Sequence, residues 1–143
     1  MKANRIFIVF ISMFLVLLVG CSNGTKIAGD KIVVEKHVGK TDKYEYYNKI
    51  KDSKEVQKVK DILDSVSWEN AKVSMVSPPN YKFHFEDTNE KQKSSELIYE
   101  LWISPNKDKV ELVVSNESKY VQLSKEKSAE LFKIIAGKKL DDV

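Results

Sequence analysis

Alternation of apolar and polar residues in the second half of the chain most constrains its fold. Residues 81–86 read YKFHFE, in which aromatic residues alternate with charged or polar ones. Residues 96–104 and 110–114 continue the pattern on either side of the turn-forming residues 105–108. Successive side chains of a β-strand point to opposite faces, so this period marks strands with one buried face. After a polar loop at residues 87–95, the short connections predict an antiparallel meander of three strands at residues 96–104, 110–114 and 120–123.

Three more strands are predicted before residue 81. Residues 31–38 are rich in β-branched residues, and residues 44–50 follow after a Gly-Lys-Thr-Asp turn. The two segments predict a hairpin in which Tyr44 and Tyr46 pack against the core. Residues 68–76 form the third predicted strand, which two successive prolines terminate because neither can donate to a ladder.

Two helices are predicted from apolar residues that recur three and four positions apart. Asp52 opens a capping box, DSKE, and the apolar stripe after it runs through Ser65. Ser124 is the predicted N-cap of a second helix over residues 125–136, and Gly137 suits the position after its end. The order β-β-α-β-β-β-β-β-α predicts an α+β domain with both helices packed on an antiparallel sheet.

An apolar leader precedes this domain. Lys2 and Arg5 come before residues 6–19, an apolar run that only Ser12 interrupts. A charged segment followed by a short apolar one is typical of a secretory signal. As a helix this run covers about 21 Å, against a hydrocarbon core of about 30 Å. The leader therefore predicts export rather than a permanent membrane span.

The leader ends at Leu18, Val19 and Gly20, which lead directly into Cys21. This segment resembles the lipobox of bacterial lipoproteins. The resemblance implies that the Cys21 thiol becomes a diacylglyceryl thioether and that cleavage removes residues 1–20. Two acyl chains hold a protein durably on a membrane, which places this chain on the extracytoplasmic face of the cell membrane. The alternative is an uncleaved anchor followed by an ordinary buried cysteine.

A short tether and one domain are predicted after the cleavage site. Residues 21–30 combine Cys21 with a polar stretch that contains two glycines, whose nine residues reach about 15 to 18 Å. Residues 31–143 are within the usual size of a single domain. Cys21 is the only cysteine, so no disulfide stabilises this domain.

The charge balance argues against a nucleic-acid partner. After residue 20 the chain has 22 lysines, no arginine and 21 acidic residues. Nucleic-acid binding favours clustered positive charge and the bidentate contacts of arginine. We therefore expect no nucleic-acid partner, and contact with the membrane through Cys21.

Candidate catalytic and metal-binding groups are few. His37 and His84 are the only histidines, and neither belongs to a nucleophile motif, so we expect no catalytic residue, no enzyme activity and no cofactor. His84, Glu86 and Glu100 would share a sheet face, but their spacing is not that of metal ligands, and we expect no metal. The alternative is that the protein is an enzyme or an enzyme inhibitor that acts on cell-wall material. Its carboxylates would then be Glu86, Glu100 or Glu111.

Three aromatic residues, Trp102, Tyr46 and Tyr47, form a candidate contact patch if no helix covers their side of the sheet. Burial of Trp102 under the second helix is the alternative, because tryptophan is usually mostly buried. An exposed patch predicts a non-catalytic domain that binds a protein or an envelope ligand. Burial of Trp102 without any pocket or apolar patch would favour a purely structural role.

The mature part of the chain also carries a progression of aromatic residues that a known family shares. Trp68 is followed by PPNYKF at residues 78–83, by LWI at residues 101–103 and by Tyr120 before the Ser-capped helix. This progression resembles the YhfM-like group, small lysine-rich lipoproteins of Bacillus-type bacteria. The resemblance implies a location at a Gram-positive cell envelope and a fold type, and it implies no activity.

Overall fold

The computed structural model describes residues 27–89 and 97–143. The predicted signal peptide, the lipobox residues and Cys21 lie outside the described residues. The elements in chain order are β1 (Lys31–Val38), β2 (Lys43–Ile50), α1 (Ser53–Asp64), β3 (Glu69–Asn70), β4 (Tyr81–Glu86), β5 (Tyr99–Ile103), β6 (Val110–Val114), β7 (Lys119–Gln122), α2 (Lys125–Ala136) and a 3-10 helix (Leu140–Asp142).

The seven strands form one sheet in the order β2-β1-β4-β5-β6-β7-β3. Every neighbouring pair is antiparallel. Strands β5 to β7 are successive neighbours joined by short turns, which is the predicted meander, and β4 pairs with the other edge of β5. The predicted α+β class and the predicted order of strands and helices are both confirmed.

The core lies between one face of the sheet and the two helices. Tyr81, Phe83 and Phe85 of β4 are buried on that face. Phe83 and Phe85 lie opposite Val34 and Ile32 of β1, which are also buried. The helices contribute the buried residues Val56, Val59, Ile62, Leu63, Leu131, Phe132 and Ile135. The opposite face of the sheet is called the open face below.

Both helices begin and end where the sequence predicts, within one residue. The Asp52 carboxylate accepts hydrogen bonds from two backbone N–H groups of the first turn of α1, at 3.0 Å each. The helix ends just before Ser65. Ser124 caps α2, and Gly137 ends it with a left-handed φ of 68°. Among the described residues, no helix has the length and apolar character needed to cross a bilayer.

The chain joins the fold earlier than predicted. Ile27 packs against the core. The Asp30 carboxylate accepts hydrogen bonds from both the backbone N–H and the hydroxyl of Thr88, at 2.9 Å each. Residues 27–30 therefore belong to the domain, and the predicted tether of residues 21–30 is too long at its C-terminal end.

A β-bulge changes the predicted packing of the tyrosines in β2. Val34 of β1 lies opposite Asn48. The next residue of β1 lies opposite Tyr46, which leaves Tyr47 as an extra residue. One extra residue reverses the alternation of the strand beyond it. Tyr46 is consequently 67% exposed, and the prediction that it packs against the core is wrong.

Strand β3 is much shorter than the predicted strand at residues 68–76. Only Glu69–Asn70 pairs with β7. The residues that follow leave the sheet and cross the open face, where the Ser77 carbonyl accepts a hydrogen bond of 2.8 Å from the indole N–H of Trp102. A side chain from a distant strand thus determines where this segment runs.

Candidate functional site

The open face carries most of the residues that the sequence predicts for a site. Each alternates along its strand with a residue of the core, because neighbouring side chains point to opposite faces. Strand pairing places the polar residues of adjacent strands beside one another. The open-face residues with predicted roles are His84, Glu86, Glu100, Trp102 and Glu111.

Glu86 lies among three basic side chains at one end of the open face. Its carboxylate is 3.2 Å from Nε2 of His84 and 3.5 Å from the Nζ atoms of Lys31 and Lys49. Partial burial acts to raise the pKa of this carboxyl group. The hydrogen bond with His84 and the two lysine charges outweigh burial, so the pKa of Glu86 is lowered.

We expect the stabilising effect of the Glu86 charge to depend on pH. Because its pKa is lower in the folded chain, the charge stabilises the fold above the unfolded value of about 4.3. This contribution is lost as the pH falls through the folded pKa. The Glu86→Gln variant should therefore be less stable than the wild type near neutral pH, and the difference should shrink below about pH 4. Urea unfolding across this pH range measures the difference.

Glu69→Gln is the matched control for this prediction. Glu69 is an exposed carboxylate of the two-residue strand β3. We expect its substitution to change the free energy of unfolding by less than about 0.5 kcal/mol at any pH. A Glu86→Gln effect that stays constant down to acid pH would contradict the role of the Glu86 charge.

Lys82 connects two strands across the open face. Its ammonium group is 3.2 Å from the Glu100 carboxylate and 4.3 Å from the centroid of the Tyr44 ring. The Tyr44 hydroxyl donates a hydrogen bond of 2.9 Å to the Pro79 carbonyl. Burial, followed by the charges of Glu100 and Asp42, raises the pKa of Tyr44 to about 12. Tyr44 is therefore a protonated hydrogen-bond donor at neutral pH.

The three carboxylates considered for acid–base chemistry lie on the adjacent strands β4, β5 and β6. Glu86 contacts a histidine and Glu100 contacts a lysine. The third, Glu111, accepts a hydrogen bond of 2.7 Å from the Tyr120 hydroxyl. Each carboxylate is thus engaged by a donor of the protein. In the described part of the chain, no group of three or more His, Cys, Asp or Glu side chains is arranged to hold a metal ion.

The candidate contact patch is not a single surface. Trp102 is only 7% exposed, because residues 73–78 lie beside it on the open face. The predicted alternative, burial under the second helix, places it on the wrong face. Tyr46 is exposed on the open side. Tyr47 points to the helix side, where its hydroxyl donates to the Ala136 carbonyl at 2.9 Å. These three side chains therefore do not act together.

A pocket on the helix side of the sheet was not predicted from the sequence. Its volume is about 360 Å³, within the range of about 300 to 1,000 Å³ that is usual for small-molecule sites. Four separate parts of the chain contribute to its wall. The rim contains Asp64, Glu117 and Lys119. The larger apolar side chains of the lining are Ile27, Leu63, Trp68, Leu97, Tyr99 and Val114. This cavity is called the Trp68 pocket below.

Tyr99 is held firmly beside this pocket. Its ring stacks on Phe83 with a centroid distance of 5.1 Å and an interplanar angle of 12°, and it also contacts the Trp68 ring at 6.3 Å. Burial, followed by the charges of Glu117 and Asp64, raises the pKa of Tyr99 to about 12. The side chain is almost fully buried, but its hydroxyl forms no hydrogen bond with any described residue and is accessible to solvent, since no fully buried side-chain oxygen of these residues lacks a partner.

The sheet with helices on one face and charged residues on the other defines a small α+β domain. Its fold is similar to that of a thioesterase-like protein from Clostridium sporogenes, with a TM-score of 0.52 and 14% identity over 73% of this chain and 92% of that chain. At this identity the likeness shows the fold alone. The family model described as YhfM protein matches residues 26–141, so the chain belongs to the YhfM family. This confirms the predicted family. No curated protein matches the chain.

Proposed function

We propose that this protein is an extracytoplasmic lipoprotein, held on the outer face of the cell membrane by a diacylglyceryl group on Cys21. The observation that carries this proposal is the apolar run of residues 6–19, whose last residues, Leu18 and Val19, are followed by Gly20 and then the only cysteine. The charged residues before the run and its short length support export and cleavage rather than a permanent span.

The start of the fold supports a position close to the membrane surface. Ile27 already packs against the core, and the Lys60 ammonium donates a hydrogen bond to the Gly29 carbonyl. Five residues, 22–26, separate Cys21 from Ile27. Even fully extended, this connection spans only about 20 Å. The end of the domain that contains Ile27 therefore lies next to the lipid headgroups in the proposed arrangement.

We infer that the domain binds a ligand or a partner of the envelope and is not an enzyme. The engagement of Glu86, Glu100 and Glu111 by donors of the protein supports this inference, because such contacts stabilise the sheet and restrain the carboxylates. The two imidazole rings are also engaged, His84 by Glu86 and His37 by the Thr41 carbonyl. The Trp68 pocket, by contrast, offers an apolar concave surface of the size that ligands fill.

Replacement of Cys21 tests the anchor. We expect the Cys21→Ser chain, expressed in a Gram-positive host, to disappear from the washed membrane fraction, where the wild type should remain with a diacylglyceryl group on Cys21 as its first residue. Subcellular fractionation and intact-mass spectrometry measure these outcomes. Ser22→Ala is the matched control, which should stay membrane-bound. An unmodified chain that extends from Met1 to Val143 in wild-type membranes would overturn the proposal.

A further inference from the structure

We propose that the Trp68 pocket binds the acyl chain of a neutral membrane lipid. The pocket's position beside the bilayer rests on the proposed anchoring at Cys21, whereas its chemistry depends only on the folded domain. The proposal names the ligand class that the binding function leaves open.

The lining of the pocket suits a flexible apolar chain. Ile27, Trp68 and Leu97 pack against the core but remain partly exposed, and all three contribute to the wall. Filling the cavity with hydrocarbon would remove their remaining apolar surface from water, which stabilises a complex. The volume of about 360 Å³ is too small for a folded partner and matches a small ligand or one chain of a lipid.

The Tyr99 hydroxyl supplies a polar contact for such a ligand. It has no hydrogen-bond partner among the described residues, and the ring is fixed by its stacking on Phe83. No fully buried side-chain oxygen or nitrogen of the described residues lacks a hydrogen-bond partner, so this hydroxyl is accessible at the pocket surface, where a ligand acceptor can replace its contact with water. The raised pKa of Tyr99 keeps the proton that this hydrogen bond needs. An ester carbonyl at the head of an acyl chain is an acceptor of this kind.

The charge at the rim favours a neutral head over an anionic one. Glu117 is paired with Lys119 at 2.6 Å. Asp64 forms no ion pair within the described part of the chain. The rim therefore carries an excess negative charge, which repels the carboxylate of a free fatty acid and leaves a neutral ester unaffected.

The position of the pocket relative to the anchor identifies the source of the ligand. Ile27 is both the first described residue of the fold and part of the pocket wall. Because about 20 Å of extended chain is the longest link between Ile27 and Cys21, the anchor keeps the pocket mouth near the bilayer surface. Membrane lipid is then the apolar molecule present at the highest local concentration.

The two tryptophans of the chain provide an internal test. Trp68 lines the pocket, whereas Trp102 is buried beside residues 73–78 on the open face. The full lipidated protein would be reconstituted in vesicles of phosphatidylcholine brominated midway along one acyl chain, since bromine quenches indole fluorescence only at close range. We expect the emission of the Trp102→Phe variant, which reports Trp68, to fall as brominated lipid increases. The Trp68→Phe variant, which reports Trp102, should not respond.

A variant that fills the pocket separates binding inside it from contact with the bilayer surface. Ala28 is an exposed residue of the pocket wall, so Ala28→Phe should block the cavity and abolish the quenching of Trp68. Ala129→Phe, at an exposed alanine of α2 beside a different groove, is the matched control and should leave quenching intact. Both variants retain the two tryptophans, so this comparison also stands if Trp102→Phe fails to fold.

Lipid-binding affinities test the roles of the Tyr99 hydroxyl and of the charged rim of the pocket. We expect Tyr99→Phe to weaken binding of a brominated monoacylglycerol about 2- to 10-fold without loss of stability, because the hydroxyl has no partner in the free protein. A fatty acid of the same chain length should bind more weakly than the monoacylglycerol. Equal or tighter binding of the fatty acid would overturn the preference for a neutral lipid.

The outcomes separate this inference from the proposed function. Quenching that is equal for Trp68 and Trp102, or that persists in Ala28→Phe, would overturn the pocket proposal even if Cys21 carries lipid. A bare Cys21 thiol together with quenching specific to Trp68 would overturn the anchor and support the pocket. Specific quenching, its loss in Ala28→Phe and a lipidated Cys21 would support both.

Discussion

Replacement of Phe83 by alanine is expected to lower the free energy of unfolding by about 3 to 5 kcal/mol. Phe83 is fully buried in the interior strand β4 and stacks on Tyr99, while its strand neighbour Phe85 contacts it edge-on with centroids 6.5 Å apart. Its removal leaves a cavity that these rigid rings cannot fill. A domain of this size has a total stability of about 5 to 15 kcal/mol, so much of the folded population would be lost.

Urea unfolding followed by circular dichroism measures this loss, with Tyr46→Ala as the matched control. Tyr46 is an aromatic residue of the same sheet, but it is 67% exposed. We expect its substitution to cost less than about 0.5 kcal/mol. Similar losses for the two variants would contradict the burial of Phe83 and with it the register of β4.

We expect the Gly29→Ala variant to lose about 2 to 4 kcal/mol. Gly29 has a φ of 110°, a backbone conformation that is strained for any residue with a side chain. It also lies close to the end of β4. A Cβ atom there would lie 2.8 Å from Cβ of Phe85 and 3.0 Å from the carbonyl oxygen of Glu86. Neither atom is at the end of a flexible side chain, so the segment that leads from Cys21 into the fold would be displaced.

Gly39→Ala separates the strain of the backbone from this close contact. Gly39 also has a positive φ, of 76°, but a Cβ atom there meets nothing within 4 Å. We expect the control to cost about 1 to 2 kcal/mol, from the left-handed conformation alone. Thermal unfolding of the two variants measures the difference. Equal losses would show that Gly29 does not lie against β4.

Period-two alternation and helix capping are local signals, and they predicted most of the architecture. The YKFHFE segment predicted β4 and its buried face, because each side chain's direction follows from its position in the strand. Asp52 and Ser124 predicted the starts of the two helices, since a cap acts on backbone groups two or three residues away.

Where the prediction failed, a distant residue determined the structure. The strand expected at residues 68–76 stops at Asn70, and the following segment instead covers Trp102 of β5. The bulge at Tyr47 is decided by pairing with β1, and it reverses the sides of Tyr46 and Tyr47. Neither contact has a signature in the neighbouring sequence, so the predicted contact patch did not form.

The sequence by itself predicted the leader before Cys21, and it determined the order of strands and helices and most residues of the core, because each depends on contacts within a few positions or on simple periodicity. Only the tertiary structure decided that the Trp68 pocket forms. It also decided which donors contact the carboxylates of Glu86, Glu100 and Glu111. Ile27, Trp68, Leu97 and Val114 are far apart in the chain, and folding alone brings them around one cavity.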